Sequence, residues 1–148
     1  MITAGVGLVT EFEGYSSTPY RCPAGVWTIG YGTTRYPNGH RVTGCDESCD
    51  RTSARRWLWY ALEKSEQIVV QYSTHYLNEH QRAALASFVY NLGSGAFRAS
   101  TLRRRINAGD FDDVPYQISR WNKAGGRVLR GLVRRRAAEI DLWNGHYA

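Results

Sequence analysis

Apolar side chains recur at intervals of three and four from Met1 to Glu13 (Val6, Val9, Phe12; Leu8, Phe12). That spacing predicts a helix, with Gly14 as its C-terminal stop. The period then breaks down. Residues 14–44 are rich in glycine, proline and aromatic side chains, and predict a small β lobe. Within it, Val26–Tyr31 is β-branched and aromatic between Gly25 and Gly32 and predicts a strand. Pro37-Asn38-Gly39 predicts a turn, and His40–Val42 the returning strand.

From Asp50 onward the helical period returns. Asp50 or Thr52 is placed to cap a helix through Trp57, Leu58, Ala61, Leu62, Ile68 and Val69, long enough to bridge two lobes. Asn78 caps a segment from Arg82 to Leu92 that is apolar on most sides, the mark of a buried central helix, and Gly93 ends it. Ser100 caps Thr101–Asn107. Asp112 or Asp113 precedes Val114–Arg120, where Pro115 is tolerated in the first turn. Gly125-Gly126 reads as a loop, and Arg127–Trp143 as the last helix. The fold class is α+β, mainly α. A small β-hairpin lobe and a helical lobe flank a cleft in one domain, 1–148. Residues 1–50 form the first helix and β lobe, 51–77 the connecting helix and 78–148 the helical lobe.

Length sharpens this picture. A chain of 148 residues buries roughly two-thirds of its unfolded surface, so one core suffices without disulfides or a metal. No run of about twenty apolar residues is present, which excludes a helical membrane span. Met1 to Phe12 lacks a basic leader region and a cleavage site, so no secretory signal is expected.

The net charge of +6 resides entirely in residues 75–148, since residues 1–74 carry seven basic and seven acidic side chains. Arg103-Arg104-Arg105 and Arg134-Arg135-Arg136 concentrate it. They read either as attraction to a polyanion (nucleic acid, anionic lipid or bacterial wall) or as a solvated helix face. Three cysteines allow at most one internal disulfide. Cys45 and Cys49 are close enough in sequence to pair in an irregular loop, or to stand as free thiols. With His40 they suggest a zinc knuckle, but a fourth ligand is not evident.

The densest chemistry lies in Glu13 to Gly32. An acid ends an apolar segment, Cys22 follows nine residues on, and Thr28 six further. Glu13, Gly14, Tyr20, Cys22, Gly25, Thr28, Ile29 and the Gly30/Gly32 pair together resemble the active-site signature of phage-type lysozymes, the glycoside hydrolase family 24 muramidases. The resemblance continues through Gln81–Gly93, Phe97, Ser100-Thr101-Leu102, Asn107–Asp110, Arg120-Trp121, Gly125-Gly126 and Gly131–Glu139. It covers about Val9 to Trp143, with residues 33–50 poorly matched.

The resemblance implies a general acid at Glu13, kept protonated by desolvation beside Phe12 and Tyr15. It implies a catalytic position at Cys22, where many relatives carry Asp. Three readings stay open for that thiol: a water-activating thiolate, a nucleophile, or a holder of water. A neighbouring Arg21 is placed to lower its pKa. Thr28 offers a hydroxyl to the water or sugar. Tyr90, Asn91 and Gly32 are the implied substrate-binding positions, Tyr90 against a sugar face and Asn91 toward an acetamido group. Arg127 or Arg135 is expected to pair with Glu13. Thr33 departs from the family's usual His.

The implied activity is hydrolysis of the β-1,4 bond between N-acetylmuramic acid and N-acetylglucosamine, an endolysin's reaction. No cofactor and no metal are expected. The expected partner is bacterial peptidoglycan, with no nucleic acid and no membrane span, and a monomer is expected. The protein would be made in the host cytoplasm and reach the wall after holin-type release, or serve as a tail-associated domain. A non-catalytic peptidoglycan-binding module on a degenerate lysozyme fold is the alternative. A basic helical nucleic-acid binder would leave Glu13 to Gly32 unexplained.

Overall fold

The computed structural model describes residues 3–146; Met1 and Ile2, which fall in the predicted first helix, lie outside it. Its order is α1 (Thr3–Glu13), β1 (Ser16–Arg21), β2 (Trp27–Gly30), α2 (Arg51–Gln71), α3 (Glu79–Leu92), α4 (Ser94–Ala99), α5 (Thr101–Asn107), α6 (Val114–Ser119), β3 (Lys123–Ala124), β4 (Arg127–Val128) and α7 (Arg130–Trp143). The chain is mainly helical with a small antiparallel hairpin, as the pattern predicts.

α3 is the hub. Seven consecutive residues, Ala83 to Val89, are buried, so over these two turns no face of the helix meets water. α1, α2, α4 and α7 pack around it. A reciprocal cap holds its start: Asn78 accepts from the Gln81 amide while Gln81 accepts from the Asn78 amide. α2 begins at an Asp50 cap that accepts from the Ser53 amide at 2.7 Å. Its 21 residues span about 32 Å at 1.5 Å per residue. It therefore reaches from Gly30 of β2, packed on Ala54, to Tyr72, whose carbonyl accepts from Arg103 and Asn107. This is the predicted bridge between lobes.

Three expectations are corrected. The partner of β2 is β1, with Tyr20 opposite Thr28 and Arg21 opposite Trp27; His40–Val42 contributes only an isolated bridge, Arg35 to Arg41. β1 escapes the pattern because Pro19 lacks an amide and most of its residues are polar and exposed. An edge strand tolerates both, and the register slips between Ser16 and Tyr20. Second, the last helix starts at Arg130, because Gly125 and Gly126 both have positive φ and fold Lys123–Ala124 against Arg127–Val128 as a tight hairpin. Third, α4 between Gly93 and Ser100 was not expected. At six residues it is too short to show a period.

The arginine triplets are also reassigned. Arg103 donates to the Tyr72 and Arg98 carbonyls, Arg104 to Thr101 Oγ1 at 2.8 Å, and Arg105 pairs with Asp113 at 3.3 Å. Arg135 and Arg136 are only 3% and 1% exposed. Only Arg134 of that triplet lies open, over the Phe12 ring at 5.8 Å. Of the six arginines, Arg104, Arg105 and Arg134 stay exposed, while Arg135 and Arg136 are drawn into the fold. The three cysteines are free thiols. Among the described residues no group of three His, Cys, Asp or Glu side chains is arranged to hold a metal.

Candidate active site

A cleft of about 610 Å³ lies between the β lobe and the helices. Glu13, Cys22, Thr28, Gly32, Tyr90 and Asn91 all line it. Residues more than seventy positions apart in sequence thus meet because α1, the β1–β2 hairpin and α3 converge.

Glu13 ends α1 and faces α7. Arg135 Nη1 donates to its Oε1 at 2.6 Å. Arg135, not Arg127, is therefore the partner; Arg127 is exposed in β4. Phe12 and Tyr15, expected to wall in the carboxyl, engage elsewhere. Phe12 sits under Arg134, while Tyr15 packs on Tyr31 at 5.3 Å with Arg51 over its ring at 4.2 Å. The carboxyl instead lies against the backbone of Gly32. A Cβ there would meet Glu13 Oε2 at 2.8 Å and Tyr90 Oη at 3.2 Å. Gly32 has φ +81°, a conformation that side-chain-bearing residues adopt at a cost of about 1–2 kcal/mol. Both facts require glycine.

Cys22 follows β1, at the start of the turn into β2. Its thiol titrates below the ordinary range, first through backbone hydrogen bonding from Val26. Partial burial opposes this, while the Ala24 backbone and the Thr28 hydroxyl assist. Arg21, expected to supply that effect, lies over the Trp27 ring at 5.0 Å. Thr28 is 3% exposed, and its Oγ1 donates to the Val26 carbonyl at 3.0 Å. A hydroxyl carries one proton, so this donor serves either the Val26 carbonyl or the sulfur at any one time.

Tyr90 and Asn91 stand near the end of α3. Tyr90 Oη donates to the Tyr31 carbonyl at 2.7 Å, and burial, with Glu13 adding to it, raises its pKa strongly. The hydroxyl stays protonated and clamps α3 to the turn after β2 that carries Gly32. Asn91 Oδ1 accepts from Arg136 Nη2 at 2.8 Å, which leaves the amide NH₂ as its free end. Thr33, in place of the usual His, is tied to Ile29 by two backbone bonds of 2.9 Å. Among the described residues its buried Oγ1 has no partner at good hydrogen-bond geometry, and it too lines the cleft.

Behind the cleft is a buried ionic layer. Arg136 Nε lies 2.8 Å from Glu139 Oε1, Ser87 Oγ donates to Glu139 Oε2 at 2.6 Å, and Arg135 Nε lies 3.6 Å from Glu139 Oε2. Burial, ahead of the attraction of the two arginines, moves the Glu139 carboxyl upward in pKa. Glu139 and Ser87 were not singled out from the sequence as a charged layer, and Arg136 was read only as part of a basic cluster. The spacing of Glu139 three and four residues after Arg136 and Arg135 was the available signal.

Residues 10–139 match the family model described as phage lysozyme. The chain belongs to the phage lysozyme family. Among relatives of this phage lysozyme is a SAR-endolysin of Enterobacteria phage PA-2, 37% identical over 137 residues, covering 88% of this chain and 78% of that protein. The endolysin from Escherichia coli O157:H7 phage FAHEc1 superposes with a TM-score of 0.84 at 30% identity, covering 95% of this chain and 90% of that one. The muramidase domain of SpmX from Asticaccaulis excentricus gives 0.82 at 30% identity, with 97% of each chain covered.

In this phage lysozyme, Gly32→Ala is expected to lower activity by at least about tenfold, because a Cβ in contact with Glu13 displaces the carboxyl. The melting temperature should fall by a few degrees as well, from the strained φ. Measured kcat and thermal unfolding check the two effects separately. Unchanged kcat would mean that the Glu13 side chain relaxes away without consequence.

Proposed function

We propose that this chain hydrolyses the β-1,4 bond between N-acetylmuramic acid and N-acetylglucosamine in bacterial peptidoglycan, with Glu13 and Cys22 as the acid and base. The observation that carries this reading is the meeting of Glu13, Cys22 and Thr28 in one cleft, the acid fixed by Arg135 and the thiol held by backbone amides. Family membership supports the same activity. Glu13 donates its proton to the leaving glycosidic oxygen, and the Arg135 guanidinium faces the carboxylate left behind. Water attacks the anomeric carbon and gives its proton to the Cys22 thiolate, with the Thr28 hydroxyl donating to the sulfur between turnovers. Each turnover ends when Glu13 regains a proton and Cys22 releases one. The Asn91 NH₂ is free to meet an acetamido carbonyl, and Gly32 leaves the backbone open to a sugar. Tyr90 shapes the cleft wall with its hydroxyl already engaged. The protein acts as a monomer, made in the host cytoplasm and acting on the wall after release across the inner membrane. Among the described residues no helix is long and apolar enough to cross a membrane.

The test is mass spectrometry of digested sacculi, where new reducing ends at N-acetylmuramic acid are expected. Products with reducing N-acetylglucosamine, or none, would overturn the linkage assignment. Cys22 has its own test. Cys22→Asp should keep activity, because a carboxylate also takes a proton from water, while Cys22→Ala should lose about 10²-fold or more. Since the folded environment lowers the thiol pKa, the thiolate fraction rises with pH on the acid side of the ordinary thiol range near 8.5. Wild-type activity should therefore climb along that limb until Glu13 loses its proton, and Cys22→Asp should lack the limb. Full activity of Cys22→Ala would remove the thiol from the mechanism.

A further inference from the structure

The face that α2 turns toward the cleft consists of Tyr60, Ala61, Lys64, Ser65 and Ile68. That is one helical stripe, spaced by one, three and four residues. The acids that flank Lys64 in sequence lie off this stripe and are engaged elsewhere. Glu63 accepts from Trp59 Nε1 at 3.0 Å, and Glu66 pairs with Arg82 at 2.9 Å. Lys64 extends its ammonium over the Tyr60 ring at 4.8 Å.

Across the cleft, Arg35 lines the opposite wall. Its Nη1 donates to the Gly39 carbonyl at 2.7 Å, which fixes the guanidinium on a braced loop. Backbone bonds of 2.9 Å link Tyr36 to His40 and Gly39 to Tyr36. Tyr36 Oη donates to Asp46 Oδ2 at 2.7 Å, and its ring packs edge-on to Trp57 at 4.9 Å. Neither Arg35 nor Lys64 has a carboxylate partner among the described ion pairs. The charged side chains lining the cleft are Glu13, Arg35 and Lys64, and Glu13 is engaged by Arg135 from behind. The cleft therefore presents two unmatched cations.

We propose that Arg35 and Lys64 form a carboxylate-binding subsite that selects acidic groups carried by the glycan. This assignment rests on the peptidoglycan reading above and names the part of the substrate it recognises. A muramyl glycan bears carboxylates in two places, the stem peptide and, where that peptide is absent, the lactyl ether. Both offer the planar anion that a guanidinium fork accepts, with an ammonium completing the charge. The sugar backbone alone is uncharged and gives these cations no partner. Discrimination by charge then adds to the shape of the sugar-binding cleft.

The experiment pairs the wild type with the Arg35→Gln/Lys64→Gln double variant on three soluble glycans. One retains its stem peptides, one has been stripped by an amidase so that lactyl carboxylates remain, and one is stripped and then carbodiimide-amidated so that those carboxylates are neutral. KM and kcat are measured by release of reducing ends. Exposed charge pairs each contribute a few-fold in binding, so the double variant should raise KM about fivefold on the carboxylate-bearing strand that the subsite holds. On the amidated strand the two proteins should have the same KM, the non-additive result expected of groups in contact. The gap should also close as salt is raised. An increase on the peptide-bearing strand alone assigns the stem peptide, one on the stripped strand alone assigns the lactyl carboxylate, and one on both shows that the subsite accepts either carboxylate. An equal increase on all three strands, or no increase on any, overturns the subsite. A wild type that cleaves none of the three overturns the hydrolase reading itself, a separate outcome.

Discussion

Glu13→Gln is expected to abolish glycan cleavage while leaving the fold and binding to sacculi intact. The amide has the shape and polarity of the carboxyl and still accepts from Arg135 Nη1, which lies 2.6 Å from the native oxygen. It cannot deliver a proton to a leaving glycosidic oxygen. General acid catalysis contributes about 10²–10⁴-fold, so the loss in kcat should be at least of that order. KM should change little, because the side chain also rests against Gly32 and keeps the cleft shape. Glu11, two residues earlier on α1, is the control: Glu11→Gln should retain activity. Lysis by Glu13→Gln together with failure of Glu11→Gln would move the acid to the other residue. A large fall in melting temperature with Glu13→Gln would instead make the ion pair chiefly structural.

The helical part of the fold was legible because helices announce themselves locally. The Asn78 cap, the mostly apolar run to Leu92 and the Gly93 stop lie within sixteen residues, and the structure places α3 within one residue of them. The β lobe was less legible. The strand at Val26–Tyr31 has β-branched and aromatic side chains, but its partner has the sequence Ser16-Ser17-Thr18-Pro19-Tyr20-Arg21. The returning strand at His40–Val42 satisfied a local turn rule, yet the hairpin closed on the other side. Sheet pairing is decided by which edge completes the packing, and a short polar strand carries little trace of that.

The site shows the same division. Glu13, Cys22 and Thr28 lie within sixteen residues, and their shared signature brought them forward together. Arg135 was one of two candidates, since pairing over 122 positions is a tertiary fact. The cause of Cys22's depressed titration was misplaced, because Arg21, the last residue of β1, turns onto the Trp27 ring, while backbone amides leave no mark in sequence. Reading Arg134-Arg135-Arg136 as an exposed basic patch failed for a related reason. Composition records the charges but not the Glu139 and Ser87 that draw two of them inward.

That inward pair leads to the largest expected effect on stability. Glu139 is fully buried, between Arg136 at 2.8 Å and Arg135 at 3.6 Å, and also accepts from Ser87 at 2.6 Å. Burial raises the Glu139 carboxyl in pKa and lowers the Arg136 guanidinium. Desolvation therefore opposes both charges, and their mutual attraction offsets it. Removing one side leaves the other buried without its partner, which costs about 3–5 kcal/mol. Glu139→Leu should accordingly lower the melting temperature by about 10 °C, at 2–4 °C per kcal/mol for a chain of this size. Activity at a permissive temperature should fall as well, since Arg135 loses a contact that fixes the guanidinium facing Glu13. The decisive comparison is Arg136→Met/Glu139→Leu. With both charges gone and similar volume retained, the double variant should be more stable than Glu139→Leu alone, because a desolvated guanidinium no longer stands against the Phe88 ring. If the two substitutions simply add, the pair is not coupled through charge. The buried layer would then hold α7 on α3 by packing, and Glu13 would depend on Arg135 alone.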